Sequence, residues 1–136
     1  MTDPDLVAKK LALIETCVQQ LRSLGQPSLI ASDIREERFV EHTLQIAIQA
    51  VLDVASHIVS DERLGEPRTN RELVDLLERR QILPSDLAER IRKMVGFRNI
   101  LVHGYETVDL AIVRDIVERR LDDLLEFSAF VRQLLS

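Results

Sequence analysis

Apolar residues recur along this chain at helical intervals, and nowhere do five or more positions alternate strictly between apolar and polar, so the pattern predicts helices and no strand. From Asp5 to Leu24 the apolar positions are Val7, Leu11, Ile14, Val18 and Leu21, in steps of four and three that mark one face of an amphipathic helix. Gly25 and Pro27 are its stop signals. Ser32-Asp33, with Glu36 three residues beyond the aspartate, opens a second helix on a capping box. Between Phe39 and Val59 that helix is apolar round most of its circumference, which predicts a central position. Its remaining polarity forms a narrow row, His42, Gln45, Gln49, Asp53 and Ser56. These are mostly uncharged hydrogen-bonding groups, where a solvent face usually carries Lys and Glu. The row reads as the lining of a cleft or subunit interface, or as an ordinary polar stripe.

Thr69 with Glu72 caps a short third helix whose apolar face is Leu73, Leu76 and Leu77. Pro84-Ser85 starts a fourth, carried by Leu87, Ile91, Met94 and Val95 towards Arg98. Asp109 caps the last, in which Leu110, Val113, Val117, Leu121, Leu124, Val131 and Leu135 keep one core-facing period to the C-terminus. The class is all-α: an up-and-down antiparallel bundle of four long helices plus one short one, forming a single domain over residues 1–136.

Composition narrows the setting. A chain of 136 residues buries roughly two-thirds of its unfolded surface without staples. Cys17 is the sole cysteine and reads as a small buried hydrophobe in a reducing compartment. The first residues are acidic where a secretory leader would be basic, and no apolar run approaches the ~20 residues of a membrane span, so a cytoplasmic protein with no membrane partner is expected. The net charge of −5 opposes general adhesion to nucleic acid. Positive charge is nonetheless gathered between Arg63 and Arg98, where nine Lys or Arg face six Asp or Glu.

That basic segment leads into Arg98-Asn99-Ile100-Leu101-Val102-His103-Gly104-Tyr105. There is no Gly-rich phosphate loop, CxxC or HExxH, and no carboxylate cluster spaced for a metal. His42 and His57, fifteen residues apart on one helix, read as separate structural polar groups. An arginine offers a planar cationic fork for a phosphate, and a histidine moves protons both ways near neutral pH. Together they suit transesterification at an RNA phosphodiester, the imidazole serving the 2′-hydroxyl or the leaving oxygen and the guanidinium stabilising the added negative charge. On an unbroken helix, positions 98 and 103 lie roughly 140° apart and cannot share one pocket. Either Gly104 ends the helix at His103, or the second arginine and histidine come from another subunit. The bland alternative makes Arg98 and His103 helix-end contacts and Tyr105 a core residue.

The run matches the Arg-x4-His-x-Tyr motif and resembles the HepT-like family of HEPN-domain ribonuclease toxins. The likeness extends to the central helix from Gln45 to Ile58, to Leu83-Pro84, to Met94-Val95-Gly96-Phe97 and to Val108-Asp109-Leu110, covering essentially Leu6 to Leu135. The resemblance implies a metal-independent endoribonuclease that needs no cofactor, is a homodimer with two motifs facing one cleft, and takes RNA as substrate. It makes Arg98 and His103 catalytic. It makes Tyr105 the AMP acceptor for an MntA-type nucleotidyltransferase antitoxin, the partner in a toxin–antitoxin pair. Asn99, Asp53 and Gly104 are supporting residues, Asp53 as the group that orients Arg98 or His103; Gly104 stands where the family often has a larger residue. The alternatives are a non-catalytic binding subunit of a nucleotidyltransferase complex and a stand-alone helical dimer.

Overall fold

A computed structural model describes residues 3–103 and 108–136, the side chains of 102 and 103 excepted. The described residues form six helices and no strand: α1 (Pro4–Leu24), α2 (Ile34–Asp61), α3 (Asn70–Arg79), α4 (Ser85–His103), α5 (Leu110–Arg119) and α6 (Leu121–Leu135), with a single 3-10 turn at Pro27–Leu29. The all-α bundle expected from periodicity is the observed architecture.

The helices begin where short polar side chains cap them. Asp3 accepts from the amides of Asp5 and Leu6 at the start of α1, Asp33 from Arg35 at α2, Thr69 from Glu72 at α3 and Asp109 from Ala111 at α5. The two expected capping boxes close differently. Glu36 accepts from the Gln26 amide at 2.5 Å and Glu72 from the Arg68 amide at 2.5 Å, so each glutamate ties down the incoming chain instead of its own cap residue. At the end of α1, Gly25 has extended backbone and its amide bonds to the Leu21 carbonyl. A Cβ there would meet that carbonyl oxygen at 2.3 Å, so close approach, not a left-handed angle, demands glycine.

Two helix ends close on left-handed residues other than glycine, the first where the polar loop from Asp61 to Pro67 was expected. Arg63 (φ 53) and Gln81 (φ 61) are left-handed residues that follow α2 and α3. Around them Arg63 N–H bonds to Ser60 and Leu64 N–H to Val59, while Gln81 N–H bonds to Glu78 and Ile82 N–H to Leu77. Both are Schellman closures, with Leu64 and Ile82 packed on the core as the accompanying apolar contact.

Helix α2 is the axis of the bundle, packed by α1, α3, α4 and α6. By length and composition it could cross a membrane, which corrects the expectation that no segment comes close. The tertiary structure accounts for its apolarity, since Val40, Leu44, Ala47, Ile48, Val51, Val54, Ala55 and Ile58 are all buried among its neighbours. These residues belong to one cluster that also takes in Leu11, Ile14, Leu77, Leu87, Ile91, Leu101 and Phe127. Cys17 is buried in it, and that burial pushes its thiol pKa up.

The last helix departs from expectation. It divides at Arg120 (φ −118, ψ 1), which ends α5 and begins α6 without a glycine or proline. Helix α5 packs against the 3-10 turn, whereas α6 packs against α1 and α4, and two partners in different directions require the bend. Asp123, buried in the first turn of α6, is held by Arg90 of α4 at 2.5 Å and fixes the new direction.

Candidate functional site

Arg98 lies near the end of α4, on the side facing α2, half-buried in a cleft of about 260 Å³ between α1, α2 and α4. One wall is the polar row of α2: His42, Gln45, Gln49 and Asp53 all line the cleft. Leu13, Ile46 and Ala50 supply its apolar surface, and Lys10 reaches in from α1. The polar row is therefore a cleft lining, one of the readings its composition allowed.

Within the cleft the side chains form a chain of contacts. Arg98 Nη2 donates to Gln49 Oε1, Gln49 Nε2 donates to Asp53 Oδ1 at 2.9 Å, and Lys10 Nζ donates to Asp53 Oδ2 at 3.1 Å. Asp53 thus fixes which way the Gln49 amide faces, and that amide presents its oxygen to the guanidinium. The expected contact of Asp53 with Arg98 is indirect and runs through Gln49. The carboxylate is also balanced by Lys10, and among the described residues no acidic side chain pairs directly with Arg98. Arg98 Nε is buried and has no hydrogen-bond partner among the described residues.

The other sequence candidates are distributed differently. Asn99 is exposed on α4. The backbone of α4 stays helical through His103, so positions 98 and 103 keep the angular separation of roughly 140°. The side chain of His103, together with Gly104 and Tyr105, lies outside the described residues. His57 is structural, as expected: its Nε2 lies 3.0 Å from Asp61 Oδ2 and 3.4 Å from the Asp3 amide. His42 is exposed at the cleft rim, as a member of the polar row. Lys10 was not anticipated, although its place three residues after Val7 and four before Ile14, both core positions, set it on the inward side of α1.

Two arginines of the basic segment leading to Arg98 are engaged in packing, while Arg63, Arg68, Arg71, Arg79, Arg80 and Lys93 are exposed. Arg92 bridges α4 to α3 through Asp75 (3.0 Å) and Glu78 (2.7 Å) and also reaches Glu89 (3.1 Å). Arg90 holds Asp123 (2.5 Å) and Glu126 (2.8 Å) of α6. The hydrogen bonds they donate to these carboxylates raise the pKa of both arginines. These pairs orient α4 between α3 and α6 and so set the face on which Arg98 stands.

The family model described as Ribonuclease HepT-like matches residues 13–131 of the chain. This chain belongs to the ribonuclease HepT-like family. Over 124 residues it is 32% identical to the mRNA nuclease HepT of Shewanella oneidensis, covering 90% of this chain and 93% of that protein. Over 136 residues it is 31% identical to the tRNA nuclease HepT of Aphanizomenon flos-aquae, covering 98% of this chain and 90% of that one. The fold superposes with a TM-score of 0.88 and 30% identity on a solved structure of tri-AMPylated Shewanella oneidensis HEPN toxin in complex with MNT antitoxin, covering 98% of this chain and 99% of that chain. In this HepT-like chain the family's Arg-x4-His-x-Tyr run is intact, and its arginine stands in the cleft just described.

Proposed function

We propose that this protein is an endoribonuclease and the toxin of a toxin–antitoxin pair, working in the cytoplasm on RNA without a metal. The observation that carries the reading is the motif arginine, in a chain of the HepT-like family, half-buried in a cleft lined by the polar row of α2 and held there by Gln49.

The reaction follows from the two motif side chains. The 2′-oxygen of a ribose attacks the adjacent phosphorus, the P–O5′ bond breaks, and the products are a 2′,3′-cyclic phosphate and a 5′-hydroxyl. His103 takes the proton of the 2′-hydroxyl or returns one to the leaving oxygen. Arg98 holds the non-bridging oxygens as negative charge builds, through the Nη group that Gln49 leaves free. Because the backbone of α4 is helical through position 103, positions 98 and 103 lie roughly 140° apart around it, and a homodimer completes the centre by bringing together motifs from two chains. Ile100, 48% exposed and about 60° from position 103, provides apolar surface for such a contact.

Tyr105 is the acceptor of AMP from an MntA-type nucleotidyltransferase, as the AMPylated HEPN relative suggests. An anionic adduct two residues from His103 repels RNA phosphate and switches the enzyme off. Cleavage of RNA by protein made without its partner should survive EDTA and disappear in Arg98→Ala and in His103→Ala. Cleavage persisting in both variants overturns the assignment, and a tight nucleotidyltransferase complex with no cleavage by never-modified protein favours the binding-subunit alternative. Intact mass after incubation with the partner and ATP should rise by AMP units, and Tyr105→Phe should abolish the rise.

A further inference from the structure

The cleft holds more than the arginine needs. Gln45 is half-buried in it, yet its amide makes no hydrogen bond among the described residues, so a donor and an acceptor stand open side by side. Leu13, 38% exposed, and half-buried Ile46 lie beside it, forming an apolar surface that a monomer leaves in contact with water, with buried Ala50 at its floor. Among the described residues lining the cleft, Lys10 and Arg98 bring two cations against the one carboxylate of Asp53, a balance that favours an anion. Its volume of about 260 Å³ accommodates one nucleotide unit.

From these features we infer that the cleft is a base-reading subsite: with the scissile phosphate on Arg98, the base adjoining it lies against Leu13, Ile46 and Ala50, and Gln45 reads its edge. A nucleobase has two flat apolar faces and a rim of donors and acceptors, and the cleft presents the complement of each. A side-chain amide pairs with a base edge by giving one hydrogen bond and taking one, which discriminates between bases. Gln49 lies one turn away but cannot share this role, because its oxygen is committed to Arg98 and its nitrogen to Asp53. Gln45 is therefore a specificity-determining residue, whereas Gln49 is a positioning residue. This inference rests on the ribonuclease reading.

The test uses full-length protein and short DNA oligonucleotides carrying one ribonucleotide, so that a single bond is cleavable, with the bases on both sides of that bond varied through all four identities. Wild-type protein should cut its best and worst bases at rates differing by about tenfold at one of the two positions. Gln45→Leu should narrow that ratio to about threefold or less with an unchanged Tm. Gln45→Glu, which keeps only the acceptor, should shift preference towards bases with an exocyclic amino group. The same preference and its loss should appear in binding of 2′-O-methyl versions of the oligonucleotides, which cannot be cleaved. No cleavage by wild-type protein defeats the ribonuclease reading, but base-selective binding that depends on Gln45 still upholds the subsite. Preferences unchanged in both Gln45 variants overturn the inference, as does a cleft whose Gln45 variants alter only dimer dissociation.

Discussion

The contact between Gln49 and Arg98 yields the sharpest test of how the site is built. Replacing Gln49 by Leu removes the acceptor for Arg98 Nη2 and the donor to Asp53 Oδ1, while the Lys10–Asp53 pair remains. A hydrogen bond to a charged group contributes about 1.5–3 kcal/mol. Gln49 and Arg98 are each only half-buried, which places this one near the lower end, at about 1.5–2 kcal/mol. If that energy holds the guanidinium against the phosphorane, its loss appears in the chemical step as roughly a 10- to 30-fold fall in kcat. KM for RNA should change by less than about threefold, because the charge of Arg98 stays in the cleft. Tm should stay within about 2 °C, since leucine has apolar neighbours in Ile46 and Ala50. The assay is cleavage of an end-labelled RNA in EDTA by protein never exposed to a nucleotidyltransferase, under single- and multiple-turnover conditions. Asp53→Asn, which can still accept from Gln49, should lose much less. A Gln49→Leu variant with kcat within twofold of wild type would refute the positioning role.

Four further outcomes follow from the packing, the titrating groups and the backbone. Phe127→Ala, at a fully buried position of α6, should destabilise the fold by about 3–5 kcal/mol and lower Tm by roughly 10–20 °C in calorimetry. Burial, and then the charge of Glu37, raise the Glu41 pKa, so the ionised carboxylate weakens the fold above that raised value and the penalty fades as pH falls towards 4.5. Glu41→Gln should therefore raise Tm by about 2–4 °C at pH 7–8, with a gain that shrinks on acidification. Glu15 has the opposite sign: its hydrogen bond from Arg132 lowers its pKa, so its contribution is present above 4.5 and is lost as pH falls below that. Glu15→Gln should flatten the acid side of the Tm–pH curve and cost little at neutrality, since the pair is more than a third exposed. Gln81→Gly, at a left-handed position closing α3, should stabilise by about 0.5–1 kcal/mol in urea unfolding, and a loss of stability there would contradict the strain assigned to φ 61.

Much of this protein is determined by local sequence. The i, i+3, i+4 spacing from Val7 to Leu21, the apolar run of α2 and the caps at Asp33, Thr69 and Asp109 each act within one or two helical turns, where side-chain type and backbone preference agree. For the same reason the polar row of α2 could be singled out and the motif run through Arg98 could be read as one stretch. Tertiary structure decided whatever depends on contacts between distant residues. The bend at Arg120 has no breaker residue and exists because α5 and α6 pack in different directions. The left-handed ends at Arg63 and Gln81 are held by long-range burial of Leu64 and Ile82, which overrides the local cost. Above all, Lys10, Gln49, Asp53 and Arg98 come from three helices and up to 88 positions apart in numbering, and only the packing of α1 and α4 on α2 brings them to hydrogen-bonding distance. The sequence named the arginine; the bundle supplied the amide that aims it.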